Sequence, residues 1–190
     1  MRITGGELRS RRLVAPRGDA TRPTSDRVRE ALFSILGGLV EIEGARVLDL
    51  YAGTGALAFE ALSRGAASAV LVERARPALA ALRANVLSLG LDARVRVVAL
   101  EVGRALTTLA ESGASFDLVL VDPPYAEVPT GGVARALAPL GGGGLLAEGG
   151  VVVLEHRAGD TPPPMLGLAI ASERVYGDTA LAFLRRSEGP

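Results

Sequence analysis

Two short runs carry residue types whose spacing can do chemistry together. The first is Asp49-Leu50-Tyr51-Ala52-Gly53-Thr54-Gly55, which sits where an apolar run gives way to helical periodicity. Two glycines at such a junction let the backbone turn sharply and come close to a ligand, while the following helix start offers unpaired N–H groups. Twenty residues beyond Gly53 lies Glu73, at the end of the next apolar run, where a carboxylate can accept both hydroxyls of a ribose. This is the pattern of a site for an adenosine-containing cofactor. The second run is Asp122-Pro123-Pro124-Tyr125, again at the end of an apolar stretch. Paired prolines fix the backbone, so that the Asp122 carboxylate and the Pro123 carbonyl aim at one point with the Tyr125 ring alongside. Two acceptors beside an aromatic face suit a planar exocyclic amine. They draw its hydrogens, and with them its lone pair, toward tetrahedral geometry while the ring stacks the base.

A dinucleotide cofactor is the sharp alternative, because Gly53, Gly55 and Ala58 satisfy G-x-G-x-x-A with Glu73 at the expected distance. Against it stand Asp49, which would set a carboxylate beside a pyrophosphate but suits the ammonium of a methionine moiety, and the Asp-Pro-Pro-Tyr run, which has no dinucleotide role. The bland alternatives are a turn that uses its glycines only for packing and an ordinary strand-end turn.

Composition narrows the chemistry further. The chain has no Cys and one His, His156, which excludes a thiolate nucleophile, a disulfide framework and a multi-His metal site; no metal is expected. His156, with nothing spaced to activate it, reads as an ordinary strand-end residue. All 21 basic residues are Arg, Lys and Gln are missing, and Asn occurs once, a bias that GC-rich coding explains better than thermal adaptation. The net charge is zero but unevenly spread: residues 1–30 carry a charge of +4 and the remainder −4. A basic arm on an acidic body points to a polyanion partner, with Arg9, Arg11, Arg12, Arg22, Arg27 and Arg29 as candidate phosphate contacts. No N-terminal apolar leader and no apolar stretch of about 18 residues is present, so a cytoplasmic protein with no membrane partner is expected.

The elements that must position these residues follow from periodicity. Arg2–Pro16 reads as a basic hairpin or loose arm around Gly5-Gly6. From Ser25 the apolar positions 28, 31, 32, 35 and 36 predict an amphipathic helix ending at Gly37-Gly38, with Arg27, Arg29 and Glu30 facing outward. Strands at 47–51, 69–73, 95–100, 116–122 and 151–155 alternate with helices at 56–64, 77–89, 104–111 and 131–140, and strands at 168–175 and 180–184 close the chain as a hairpin. Such alternation predicts an α/β fold, a parallel sheet with helices on both faces. The division expected is a basic extension over residues 1–38 and a catalytic domain over 39–190.

Asp49–Gly55, Glu73 and Asp122–Tyr125 together resemble the motifs of class I S-adenosylmethionine-dependent amino-methyltransferases. RITGGELRSRRL near the start, TRPTSDRVREALFSIL at 21–36, ALSRGA at 61–66 and VYGDTALAFL at 175–184 resemble the bacterial RsmD family of small-subunit ribosomal RNA guanine-N2 methyltransferases. The resemblance implies a Rossmann-like seven-stranded, mostly parallel sheet with an antiparallel last strand. It implies S-adenosylmethionine as cofactor, 16S ribosomal RNA or a small-subunit assembly intermediate as partner, a monomer, and methylation of one guanine of the G966 type. Carried onto this sequence, Asp49, Gly53 and Gly55 would hold the methionine part of the cofactor and Glu73 the ribose, with Tyr51 and Ala52 also among the cofactor-binding residues. Glu101 would lie near the adenine amino group, and Asp122, Pro123 and Tyr125 would hold the flipped guanine. Glu101 reads equally as a helix-start acid. An adenine-N6 methyltransferase shares the Asp-Pro-Pro-Tyr run, and a catalytically silent RNA-binding assembly module would share the fold; the ends of the chain favour the guanine reading over both.

Overall fold

A computed structural model describes residues 1–16 and 25–187. Its centre is one seven-stranded sheet in the order β3-β2-β1-β4-β5-β7-β6, built from β1 (Arg46–Leu50), β2 (Ser68–Val72), β3 (Val95–Val98), β4 (Phe116–Val121), β5 (Leu146–Arg157), β6 (Leu168–Tyr176) and β7 (Thr179–Arg186). The first five pair in parallel, and β7 alone runs against its neighbours β5 and β6. Parallel strands covered on both faces must be apolar on both. Along β1, Val47 and Leu48 accordingly face opposite cores. One core holds α1 (Asp26–Leu36), α2 (Ala56–Ser63) and α3 (Arg76–Leu89); the other holds α4 (Val102–Glu111) and α5 (Gly132–Gly141). The crossover order reverses beside β1, and the loops after β1, β2, β3 and β4 open onto one edge, where open α/β sheets bind ligands. Among the described residues no helix is long and apolar enough to cross a membrane.

The expected order and type of the strands and helices hold, with most ends shifted by a residue or two and two larger local differences. First, β5 begins at Leu146 rather than Val151, because Ala147–Gly150 bulge out of the ladder: Phe116 pairs with Leu146, but Leu118 pairs with Val151. Gly149, at a φ of 70°, takes the left-handed turn this needs. Second, the buried stripe of α1 is Val28, Arg29, Leu32, Phe33 and Leu36. The prediction that Arg29 faces outward is therefore wrong, and the reason lies in the N-terminal arm.

Residues 1–13 form a short hairpin closed by the bridge between Arg2 and Arg12, and it lies on α2. That helix is buried from Leu57 to Ser63, all round, because the sheet covers one side and the arm the other. Its two polar residues on the arm side hold the hairpin. Glu60 accepts from the Thr4 N–H and hydroxyl and from the Gly5 N–H, all at 2.8 Å. The Ser63 hydroxyl accepts from the Leu8 N–H at 2.8 Å and donates to the Gly5 carbonyl at 2.6 Å. A Cβ on Gly6 would sit 1.7 Å from the Ser63 carbonyl oxygen, so only glycine lets the hairpin lie this close. Arg29 completes the joint: its guanidinium, fully buried, pairs with Glu60 at 3.3 Å and Asp26 at 2.9 Å and donates to the Arg2 carbonyl. Burial alone would raise the Glu60 pKa, but the bonds from Thr4 and Arg64 hold it below the ordinary carboxylate value.

Candidate active site

The turn from β1 into α2 is unusually tight. Tyr51, Gly53 and Gly55 all lie in the left-handed region, with φ of 59°, 55° and 83°, and a non-glycine residue there costs about 1 to 2 kcal/mol. Gly55 is required twice over, since a Cβ on it would stand 2.5 Å from the Phe59 ring and 2.6 Å from Leu82 Cδ1. As the N-cap of α2 it brings no side chain to bond the helix's first amides. Asp49 does so from within β1: it is buried, and its Oδ2 accepts from the Ala58 N–H at 3.1 Å. Burial raises its pKa to about 7, against the Ala58 bond and with help from the charge of Glu73. Among the described residues no other hydrogen bond to Asp49 is made.

Glu73 ties the loop to the next strand end. Its Oε2 accepts from the Gly53 N–H at 2.9 Å, and its Oε1 from the Arg74 and Ala75 N–H groups, both at 2.7 Å. Ala75, the N-cap of α3, brings no capping side chain of its own, so the sequence-predicted ribose acceptor also caps a helix. Ala52 is buried beneath the loop, its N–H on the Val72 carbonyl at 3.0 Å. Glu101 follows β3 and is the N-cap of α4, accepting from the Arg104 N–H at 3.2 Å. The Tyr51 phenol is pushed up to about 12 by burial and by the charges of Glu127 and Glu101, so it stays neutral.

Asp122 continues the ladder one residue past the Leu50–Val121 pair, its N–H on the Leu50 carbonyl at 3.4 Å. It therefore stands one strand spacing, about 4.8 Å, from the start of the glycine loop. Pro123 is buried, Pro124 is exposed, and Tyr125 opens a 3₁₀ turn, Tyr125–Glu127. The Tyr125 hydroxyl is anchored from two strands, 2.8 Å from Glu155 Oε1 at the end of β5 and 3.0 Å from Thr179 Oγ1 at the start of β7. Burial raises its pKa to about 12, against the Thr179 bond and with help from Glu155 and Asp122. Glu155 and Thr179 escape the sequence reading. The only signal is a carboxylate ending the apolar run Val151–Leu154 at the same sheet edge. His156 is buried and hydrogen-bonded to the Arg157 carbonyl at 3.0 Å and to Glu173 at 3.2 Å.

The structure thus brings Asp49, Tyr51, Ala52, Gly53, Gly55, Glu73, Glu101, Asp122, Pro123 and Tyr125 to the carboxyl ends of four adjacent strands. The candidate phosphate contacts divide. Arg9, Arg11, Arg12 and Arg27 are exposed, with Arg11 donating to the Ser88 carbonyl at 2.6 Å. Arg29 is buried in the arm joint and unable to reach a phosphate, which corrects the sequence reading. Arg22 lies outside the described residues. Among the described residues no group of three or more His, Asp or Glu is arranged to hold a metal ion.

The chain as a whole is similar to known proteins. Residues 1–185 match the family described as conserved hypothetical protein 95. The chain is 35% identical over 187 residues to ribosomal RNA small subunit methyltransferase D of Escherichia coli K12, covering 98% of this chain and 90% of that protein. It is 33% identical to YlbH of Bacillus subtilis, over 98% and 99% of the two chains. The solved structure of a hypothetical protein from Thermus thermophilus superposes with a TM-score of 0.82 at 36% identity, covering 96% of this chain and 98% of that one. A family model that spans nearly the whole chain, and relatives that match it end to end, mean that the protein belongs to the RsmD family.

Proposed function

We propose that the protein transfers a methyl group from S-adenosylmethionine to the exocyclic N2 of one guanine in 16S ribosomal RNA, at a G966-type site, during small-subunit assembly. The observation that carries this reading is the placement of two carboxylates of different duty at the ends of the paired strands β1 and β4. Asp49 is buried with its Oδ2 on the Ala58 N–H, and Asp122 stands one residue beyond the paired end of β4.

The Asp49 side chain fits the cofactor. A buried carboxylate whose pKa has risen to about 7 favours a cation at its second oxygen, and the α-ammonium of a methionine moiety is such a cation. The Glu73 carboxylate would take the ribose hydroxyls, and Tyr51, Ala52, Gly53 and Gly55 would line the methionine side. Glu101, already the cap of α4, would stand near the adenine. When bound, S-adenosylmethionine supplies an electrophilic methyl on a positively charged sulfur, so the protein needs neither a metal nor a strong base.

Asp122 and the Pro123 carbonyl accept the two amino hydrogens of the guanine and localise the nitrogen lone pair for in-line attack. Tyr125, its hydroxyl clamped by Glu155 and Thr179, presents its ring face to the base. The arylammonium formed on transfer is strongly acidic and loses its proton to Asp122 or to water. The extension over residues 1–38 takes the RNA backbone through Arg9, Arg11, Arg12, Arg22 and Arg27, and the working form is a cytoplasmic monomer.

The experiment is transfer of labelled methyl to small-subunit ribosomal RNA, offered protein-free and as assembled particles, with nucleoside analysis of the product. N2-methylguanosine is expected. N6-methyladenosine would overturn the substrate assignment, and a protein that binds S-adenosylhomocysteine yet labels neither RNA would overturn the enzymatic one.

A further inference from the structure

The one Asn of the chain, Asn85, is wholly buried on α3 and belongs to neither chemical run. Its amide makes three hydrogen bonds. Oδ1 accepts from the Val14 N–H at 2.7 Å, while Nδ2 donates to the Val14 carbonyl at 3.0 Å and to the Thr54 carbonyl at 3.0 Å. Val14 lies two residues past Arg12, where the chain leaves the arm hairpin, and Thr54 lies between Gly53 and Gly55. Paired bonds to both backbone groups of Val14 are what a neighbouring strand would give, so the side chain pins the arm as a one-residue strand would. Its second amide hydrogen pins the glycine loop. The task needs two donors and an acceptor on one small planar group; Asp lacks the donors and Ser lacks the second.

We propose that Asn85 is a positioning residue that couples the arm to the cofactor loop, so that RNA held by the arm and S-adenosylmethionine held by the loop strengthen each other's binding. The inference rests on the assignment of those two ligands above. An arm fixed by RNA fixes Val14, Val14 fixes the Asn85 amide, and the amide fixes the Thr54 carbonyl between the two glycines. Ordering accomplished by the first ligand is then not repeated by the second, and linkage makes the gain the same in both directions.

The test measures S-adenosylhomocysteine affinity by calorimetry, with and without protein-free small-subunit ribosomal RNA at one salt concentration, for the wild-type protein, Asn85→Ala and the volume-retaining Asn85→Leu. RNA should tighten wild-type S-adenosylhomocysteine binding about fivefold or more, and S-adenosylhomocysteine should tighten RNA binding by the same factor. Both variants should bind S-adenosylhomocysteine about three- to tenfold more weakly, and the effect of RNA on them should shrink to less than about twofold. A residue that only supports the fold would weaken binding and leave that ratio unchanged, so an unchanged ratio in either folded variant overturns the proposal. So does a wild-type protein that binds both ligands independently, a result that needs no variant to fold. Absence of S-adenosylhomocysteine binding to the wild type is a different result: it removes the cofactor assignment and this inference with it.

Discussion

Asp49→Asn should make the protein more stable and less able to bind its cofactor, and both effects can be sized. In the folded chain burial raises the Asp49 pKa from 3.8 to about 7, while in the unfolded chain it titrates near the ordinary value. Between about pH 4 and pH 7 the folded state therefore holds a proton that the unfolded state has released, and stability falls as pH rises through that window. A difference of roughly three pH units at about 1.4 kcal/mol each gives a ceiling on the order of 4 kcal/mol, fully expressed above pH 7 and absent below pH 4. An Asn side chain can still accept from the Ala58 N–H through its carbonyl oxygen, so the cap on α2 survives the substitution. Urea unfolding of wild type and variant, followed by circular dichroism because the chain has no Trp, should give curves that coincide near pH 4 and separate with the variant ahead as pH rises. The difference between the two proteins isolates this one group from the other carboxylates. S-adenosylhomocysteine affinity should fall at least about 100-fold in the variant, the loss of a desolvated charge pair. In the wild type the affinity should drop about tenfold per pH unit below 7 as Asp49 takes up its proton. A variant less stable than wild type at pH 8, or one that binds S-adenosylhomocysteine as tightly, would refute the reasoning.

Other perturbations address the remaining parts of the site. Asp122→Ala should lower methyl transfer by at least about 1000-fold in kcat while S-adenosylhomocysteine affinity, measured by calorimetry, changes less than about threefold; loss of both together would make the segment structural rather than catalytic. Replacing Arg9, Arg11 and Arg12 by Ala together should reduce the slope of log affinity for RNA against log salt by about two to three, and an unchanged slope would remove the arm from RNA binding. Glu60→Ala leaves the buried Arg29 guanidinium without its partner on α2 and strips the arm of three hydrogen bonds. Chemical denaturation should register a loss of about 3 to 5 kcal/mol, with protease sensitivity rising in residues 1–16.

Much of this architecture is legible in the sequence because it is local. Alternating apolar runs and helical periods mark every strand and helix, and the Gly53–Gly55 turn announces itself through two residues that must adopt left-handed φ. What is not legible is long-range pairing of polar side chains. Arg29 reads as a surface charge because its partner Glu60 is 31 residues away on another helix, and the rule that buried stripes are apolar then rotates α1 by one position. The same holds for Asp49, which reads as a ligand-facing acid yet also caps α2, and for Tyr125, whose anchors are 30 and 54 residues downstream. The bulge before Val151 is hidden for another reason: two consecutive glycines signal equally a loop or a distorted strand.

The joint between hairpin and α2 has a consequence for the order of events during synthesis. Its bonds span 55 to 58 residues, so at roughly 5 to 20 residues per second the N-terminal residues emerge several seconds before Glu60 and Ser63 exist to receive them. For that interval Ile3, Leu13 and the apolar stripe of α1 have no core to enter, and the Arg29 charge has no carboxylate on α2. The arm is thus a late-closing piece of the fold although it is translated before α2. A peptide of the extension alone lacks the helix that shapes it, so the hairpin is transferable to another protein only together with α2.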